Sequence, residues 1–224
     1  MSKSPSRGRS LTSAQVVSML MVFVLLSSAG GVLTAGFAMP MVGAATAVTN
    51  ASAKLFDELP DDFNVLEPSQ ISTIKAADGT QIAQFYAENR IVVPLDEVAP
   101  IMQNAIVAVE DQRFYQHKGV DPTGIIRAVV SNANGGSQGA STLTQQYVRN
   151  VLVEAAIQKD DTAAQSAATA RSTARKIREI KYALTLEQRY SKQQILEGYL
   201  NIAAFGPSTY GVEASARHYF SHSA

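Results

Sequence analysis

The sequence predicts a mainly α fold with a small β element and an N-terminal transmembrane helix. Three observations carry that expectation. Residues 10–53 contain no Asp, Glu, Lys, Arg or His, and within them 16–39 is an apolar run. It is long enough, at about 20 apolar residues, to cross a bilayer as a helix. Residues 71–86 hold two runs of β-branched and aromatic residues around Asp78-Gly79, the pattern of a hairpin. From Glu97 onward, apolar residues recur at helical spacing behind repeated helix-start signals.

Taken in order, residues 1–9 form a short basic tail, 10–43 the membrane anchor, 44–70 a linker, and 71–224 a single domain. Lys3, Arg7 and Arg9 precede the apolar run and no cation follows closely, which places the N-terminus in the cytoplasm and the remainder outside. A cleaved signal peptide, with Ala45-Thr46-Ala47 as its cleavage site, is the competing reading. The length of the run favours the anchor, and the domain is exported either way.

The linker is acidic and carries Pro60 and Pro68, so it reads as extended. Ile71 to Lys75 and Gln81 to Tyr86 make the hairpin strands, and Ile91 to Leu95 reads as a third strand. Pro100 opens a helix that runs to Glu110-Asp111. Asp121-Pro122 pairs an N-cap with proline at the first helical position, ahead of Ile125, Ile126, Val129 and Val130. Residues 132–139 are a glycine-rich loop. Thr142 and Gln145 have capping-box spacing and start a helix to about Val153. Residues 155–174 are alanine-rich without an apolar stripe and read as either a solvated helix or a mobile segment, with the mobile reading favoured. Residues 175–189 are helical, Ser191 and Gln194 form a second capping box, and a last helix runs from about Gly211 to Tyr219.

Composition narrows the chemistry. The formal net charge is zero, which argues against a nucleic-acid partner, and the absence of cysteine excludes disulfides and thiolate catalysis. Three polar clusters remain. In Glu110 to Gly119, helical geometry puts Glu110, Phe114 and His117 on one face and turns Asp111 away. A carboxylate beside an aromatic is desolvated and suited to proton transfer, although spacing alone favours a solvated helix end. Gly139 to Gln146 leads a glycine loop into a helix N-terminus, a setting that suits phosphate, with Arg149 on the face of Gln145 and Gln146, although pattern alone favours an ordinary capped helix. Arg175 and Lys176 flank Glu179 at i,i+4 and i,i+3, which is either a surface ion-pair ladder or a polyphosphate site. Glu197 and Asn201 share a face as polar support. Ser72 to Lys75 has Ser-x-x-Lys spacing, but it lies in a strand pattern and has no partner motifs.

In this order and at these separations, the clusters resemble the peptidoglycan glycosyltransferase domain of class A penicillin-binding proteins, glycosyltransferase family 51. Glu110 to Gly119 matches Glu-Asp-x-x-Phe-x-x-His-x-Gly. Gly139 to Gln146 matches Gly-Gly-Ser-Thr-hydrophobe-Thr-Gln-Gln, Arg175 to Glu179 matches Arg-Lys-x-x-Glu, and Ser191 to Asn201 matches the fourth motif. Ala140 stands where a second glycine is usual, and Arg149 where lysine is frequent. Residues 155–174 are longer than usual, in a stretch the family uses as a flap near the membrane. The domain also looks incomplete at its C-terminus.

The resemblance implies a lysozyme-like domain in the bacterial plasma membrane, single-pass, with its catalytic part outside. It implies lipid II and a growing glycan chain as substrates, the bilayer and other cell-wall synthesis proteins as partners, and no nucleic acid. Glu110 would be the general base of an inverting transfer, and Glu179 a second catalytic carboxylate. Arg149, Arg175 and Lys176 would offset the leaving diphosphate, together with a divalent metal (Mg or Mn) on Glu179; no organic cofactor is implied. Ser141, Thr142, Gln145 and Gln146 would line the sugar and phosphate sites. Asp111, Phe114 and His117 would support Glu110, with Asn150 in the same wall. The rival readings are a glycan-cleaving hydrolase that pairs Glu110 with Glu179, and an inactive membrane-anchored interaction fragment.

Overall fold

The computed structural model describes residues 12, 15–24, 27, 49–60 and 63–224. Residues 1–53 and 54–224 form two separate units. In the first, residues 15–24 are helical and exposed, and most of the expected anchor lies outside the described residues. Among the described residues no helix is long and apolar enough to cross a membrane.

The second unit is mostly helical with two small sheets. Strands β1 (Ser72–Lys75) and β2 (Gln81–Phe85) pair antiparallel across Asp78-Gly79, with Gly79 at φ 89°, the left-handed conformation that turn requires. Ser72 thus lies on a strand, as its pattern predicts. Strand β3 is Asn89–Arg90 and pairs in parallel with β4 (Thr209–Tyr210). The helices are α1 (Pro100–Glu110), α2 (Pro122–Ala133), α3 (Leu143–Gln158), α4 (Thr162–Thr169), α5 (Thr173–Arg189), α6 (Lys192–Ile202) and α7 (Val212–Phe220).

The expected third strand at Ile91 to Leu95 does not form. Its backbone groups are taken by α6 instead: Asn201 Oδ1 accepts from Val93 N at 3.0 Å, Asn201 Nδ2 donates to Val93 O at 2.8 Å, and Glu197 accepts from Leu95 N at 2.8 Å. Pro94 has no N–H to offer a ladder. Glu197 and Asn201 are the polar support their spacing suggested.

The segment expected to be mobile, 155–174, is largely helical. Helix α3 continues to Gln158, and Asp160 at φ 52° reverses the chain. Asp161 caps α4 by accepting from Ala164 N, and Ser172 caps α5 by accepting from Arg175 N. Alanine is the strongest helix former, and its small side chain lets α4 lie close on α3, with Ala156 and Ala168 buried. Small size hides this contact from a search for large apolar residues.

Helix α3 packs on α5 and α6 around Leu143, Val148, Leu186, Ile195, Leu196 and Leu200, all essentially inaccessible. Leu200→Ala is expected to lower stability by about 3 kcal/mol through lost transfer energy and the cavity left behind. Urea unfolding followed by circular dichroism reads that loss directly; a change below 1 kcal/mol would mean the site collapses around the smaller side chain.

One polar cluster fastens the N-terminal connector to this core. Buried Arg90 donates to Ser69 O at 3.0 Å, to Glu88 at 2.7 Å and to Glu154 at 3.3 Å. Burial pushes Glu88 up despite the adjacent guanidinium. Burial also opposes ionisation of Glu154, but hydrogen bonds from Ser69 N–H and Gln158 and the charge of Arg90 outweigh it and bring Glu154 down from 4.5 to about 2. The unfolded chain therefore binds more protons than the folded one between these values. Stability contributed by Glu154 is complete above about 4.5 and is lost as pH falls through about 2. Acid titrations of melting temperature should accordingly be flatter in Glu154→Gln than in wild type across this window. Parallel curves would remove Glu154 as the source of acid sensitivity.

Candidate active site

Helix α1 begins at Pro100, whose missing N–H costs nothing at the first helical position, and ends at Glu110. Asp111 leaves the helix at φ −159°, so Glu110, Phe114 and His117 do not share a helical face as spacing predicted. The roles of the two acids differ accordingly. Asp111 turns inward: its Oδ2 accepts from His117 Nε2 at 2.8 Å and from Leu143 N at 3.0 Å, which ties the loop after α1 to the start of α3. Phe114 is fully buried, and the Lys192 ammonium lies 4.4 Å from its ring centroid. Glu110 stays exposed at the edge of an open recess of about 370 Å3 that Arg127 and Gln138 also line. The desolvation expected from Phe114 is therefore absent.

Glu110 is oriented from α3 instead. Gln146 Nε2 donates to Glu110 Oε2 at 2.9 Å, and Gln146 Oε1 accepts from the Tyr199 hydroxyl at 3.3 Å. Burial pushes Tyr199 up to about 12, with the Glu110 charge acting in the same direction, so the phenol keeps its proton and remains a donor. Tyr199 was legible only as a core residue of α6. Its spacing fits that reading, and nothing in a helical period reports a hydroxyl reaching another helix.

Gly119 brings the first loop against α5. It adopts φ 80°, and a Cβ there would lie 2.8 Å from Ala183 O. Its carbonyl accepts from Thr142 Oγ1 at 2.7 Å and from Gln145 Nε2 at 3.2 Å. Thr142 also caps α3, accepting from Gln145 N at 3.2 Å, so only half of the predicted capping box forms. Thr142 and Gln145 are both buried. Gln145 Oε1 and Ser141 Oγ accept from Lys176 Nζ at 2.6 and 2.7 Å, which joins the glycine-led loop to α5.

The third cluster closes on Glu179, which is completely buried. Arg149 Nε is 2.8 Å from Glu179 Oε1, Arg175 Nη1 pairs with the same oxygen, and Lys176 Nζ lies 3.5 Å from Oε2. Three cations on one carboxylate leave an excess of two positive charges, and the Arg149 and Lys176 side chains remain about one third exposed. Burial holds Lys176 below its usual range, with Glu179 opposing and Arg149 and Arg175 reinforcing the shift. Glu110 and the cations are connected through α3, where Gln146, bonded to Glu110, and Arg149 are three residues apart and Asn150 sits one turn beyond Gln146, half-buried. Such an arrangement offers positive charge to an anion on one side and an exposed carboxylate on the other.

The divalent metal expected on Glu179 would have to share that carboxylate with its three cations. Glu179 is already surrounded by cations, and among the described residues no group of three His, Asp or Glu side chains comes together.

The family model described as Transglycosylase matches residues 78–224. The chain is 42% identical over 170 residues to penicillin-binding protein 1A of Escherichia coli (strain K12), covering 73% of this chain and 18% of that protein. It is 40% identical over 154 residues to penicillin-binding protein 2D of Bacillus subtilis (strain 168), covering 67% and 20%. It is 38% identical over 176 residues to penicillin-binding protein 1A of Mycobacterium tuberculosis (strain ATCC 25618 / H37Rv), covering 77% and 20%. The chain spans no more than 20% of the length of these curated relatives.

Proposed function

Since the chain belongs to the transglycosylase family, we propose that it is a membrane-anchored peptidoglycan glycosyltransferase that polymerises lipid II into β-1,4-linked glycan and releases polyprenyl diphosphate. The observation that carries this reading is the cation cluster on buried Glu179, adjoining an exposed Glu110 that Gln146 holds in place.

Each part has a defined task in that reaction. Glu110 takes the proton of the acceptor 4-hydroxyl as that oxygen attacks the donor anomeric carbon. The bond from that carbon to the diphosphate oxygen breaks, and the configuration inverts. Gln146, positioned by Tyr199, keeps one Glu110 oxygen fixed and leaves the other for the proton. Arg149, Arg175 and Lys176 meet the charge that develops on the leaving diphosphate, where one such donor is worth about 3 kcal/mol. Glu179 gathers the three cations at one point and limits their mutual repulsion. Ser141 and Gln145 aim the Lys176 ammonium.

Two features support a membrane setting. The apolar run at 16–39 has the length of a spanning helix. On α1 and α2, Ile101, Val109, Ile126, Val129 and Val130 are each more than half exposed, apolar surface that lipid would cover.

A diphosphate site makes a testable demand. Farnesyl diphosphate should compete with lipid II, farnesyl monophosphate should compete about tenfold less well, and Lys176→Ala should weaken the diphosphate by a similar factor. Equal inhibition by the two phosphates, or no effect of Lys176→Ala, would overturn this assignment of the cluster. The cations also argue against hydrolysis, because a carboxylate paired to three of them cannot act as a free base toward water.

A further inference from the structure

Neighbouring residues on α3 and α6 serve two different places. Gln146 and Tyr199 meet at Glu110, whereas Tyr147 and Gly198 line a separate cavity of about 240 Å3 that shares no residue with the Glu110 recess. Glycine at 198 lets the Tyr147 ring lie against α6, because a Cβ there would come within 2.2 Å of the Tyr147 hydroxyl. Tyr147 and Tyr190 supply aromatic surface, Leu66 and Ile202 apolar walls, and Glu197 a carboxylate. The Leu95 N–H engages Glu197 Oε2, so Oε1 lies outside that bond. Among the described residues no Lys, Arg or His lines the cavity. Tyr190, Leu66 and Val92 are more than one third exposed, so it opens at the surface.

Aromatic surface and a carboxylate with no cation lining its cavity among the described residues together attract a cation, and apolar walls accept the methylene stem that carries one. A planar guanidinium satisfies all three, stacking on tyrosine while it donates to carboxylate and hydroxyl. We propose that this cavity recognises the guanidinium of an arginine side chain from a partner protein, separately from the polymerisation cleft. The environment of Tyr147 agrees: burial pushes its hydroxyl up to about 12, and Tyr190 and Glu197 act in the same direction.

The test titrates the full chain in detergent with N-acetyl-arginine methylamide and with its neutral isostere, N-acetyl-citrulline methylamide. Methyl resonances of Leu66, Val92 and Ile202 serve as the readout. The arginine probe should shift them saturably and bind about tenfold tighter than the citrulline probe. Glu197→Gln, which keeps an acceptor for Leu95 N–H, should erase that preference. Tyr190→Leu, on the exposed rim, should weaken the arginine probe severalfold and serves as a second variant should Glu197→Gln fail to fold. Equal binding of the two probes, or no shift with either, would overturn the proposal.

Discussion

Glu110→Gln is expected to lower lipid II polymerisation about 10³-fold, while circular dichroism and melting temperature stay at wild-type values. The fold should tolerate the change because Glu110 is exposed and makes one side-chain hydrogen bond, from Gln146. Glutamine can still accept that bond, so geometry is kept and only proton-accepting capacity is lost. Gln146→Ala should cost less, about tenfold, since it removes the orientation of the base and not the base itself. Near-wild-type polymerisation by Glu110→Gln would remove Glu110 as the proton acceptor, whatever else in the site survived.

The second large effect is expected at Glu179. Glu179→Gln leaves Arg149, Arg175 and Lys176 crowded around a neutral amide in a fully buried position. Removing one partner of a buried ion pair typically costs about 3 kcal/mol, so denaturant unfolding should move to clearly lower concentrations. Turnover should also fall, about 10²-fold, because the cations no longer converge where the diphosphate charge develops. Arg149→Met separates the two contributions. It keeps the buried carboxylate paired with two cations and should lose turnover with little loss of stability. If Glu179→Gln lost stability but retained full turnover, the cluster would be architecture and not catalytic machinery.

Much of the fold was legible because local rules and tertiary packing agree. Proline at the first helical position marked α1 and α2, and Ser191 with Gln194 marked α6, where the full capping box forms. The misreadings share one cause, a partner on another element. Ile91 to Leu95 has strand composition, yet side chains of Glu197 and Asn201 take its backbone groups. Residues 155–174 lack a large apolar stripe, but buried Ala156 of α3 and Ala168 of α4 let the two helices pack together. At the site, adjacent Glu110 and Asp111 look alike in sequence. What distinguishes them is the helix end between them, which sends one to solvent and the other to His117 and Leu143. Tyr199 behaves likewise, its hydroxyl reaching across to Gln146 although its period is that of a core residue.

The proposed pairing of an exposed base with a diphosphate-directed cation cluster is tested most directly by incubating the chain with lipid II and assaying three products together. The expected products are glycan polymer and polyprenyl diphosphate in proportion to the sugar transferred, with no new reducing ends from preformed glycan. Cleavage of preformed glycan with new reducing ends, or polymer without released diphosphate, would contradict it.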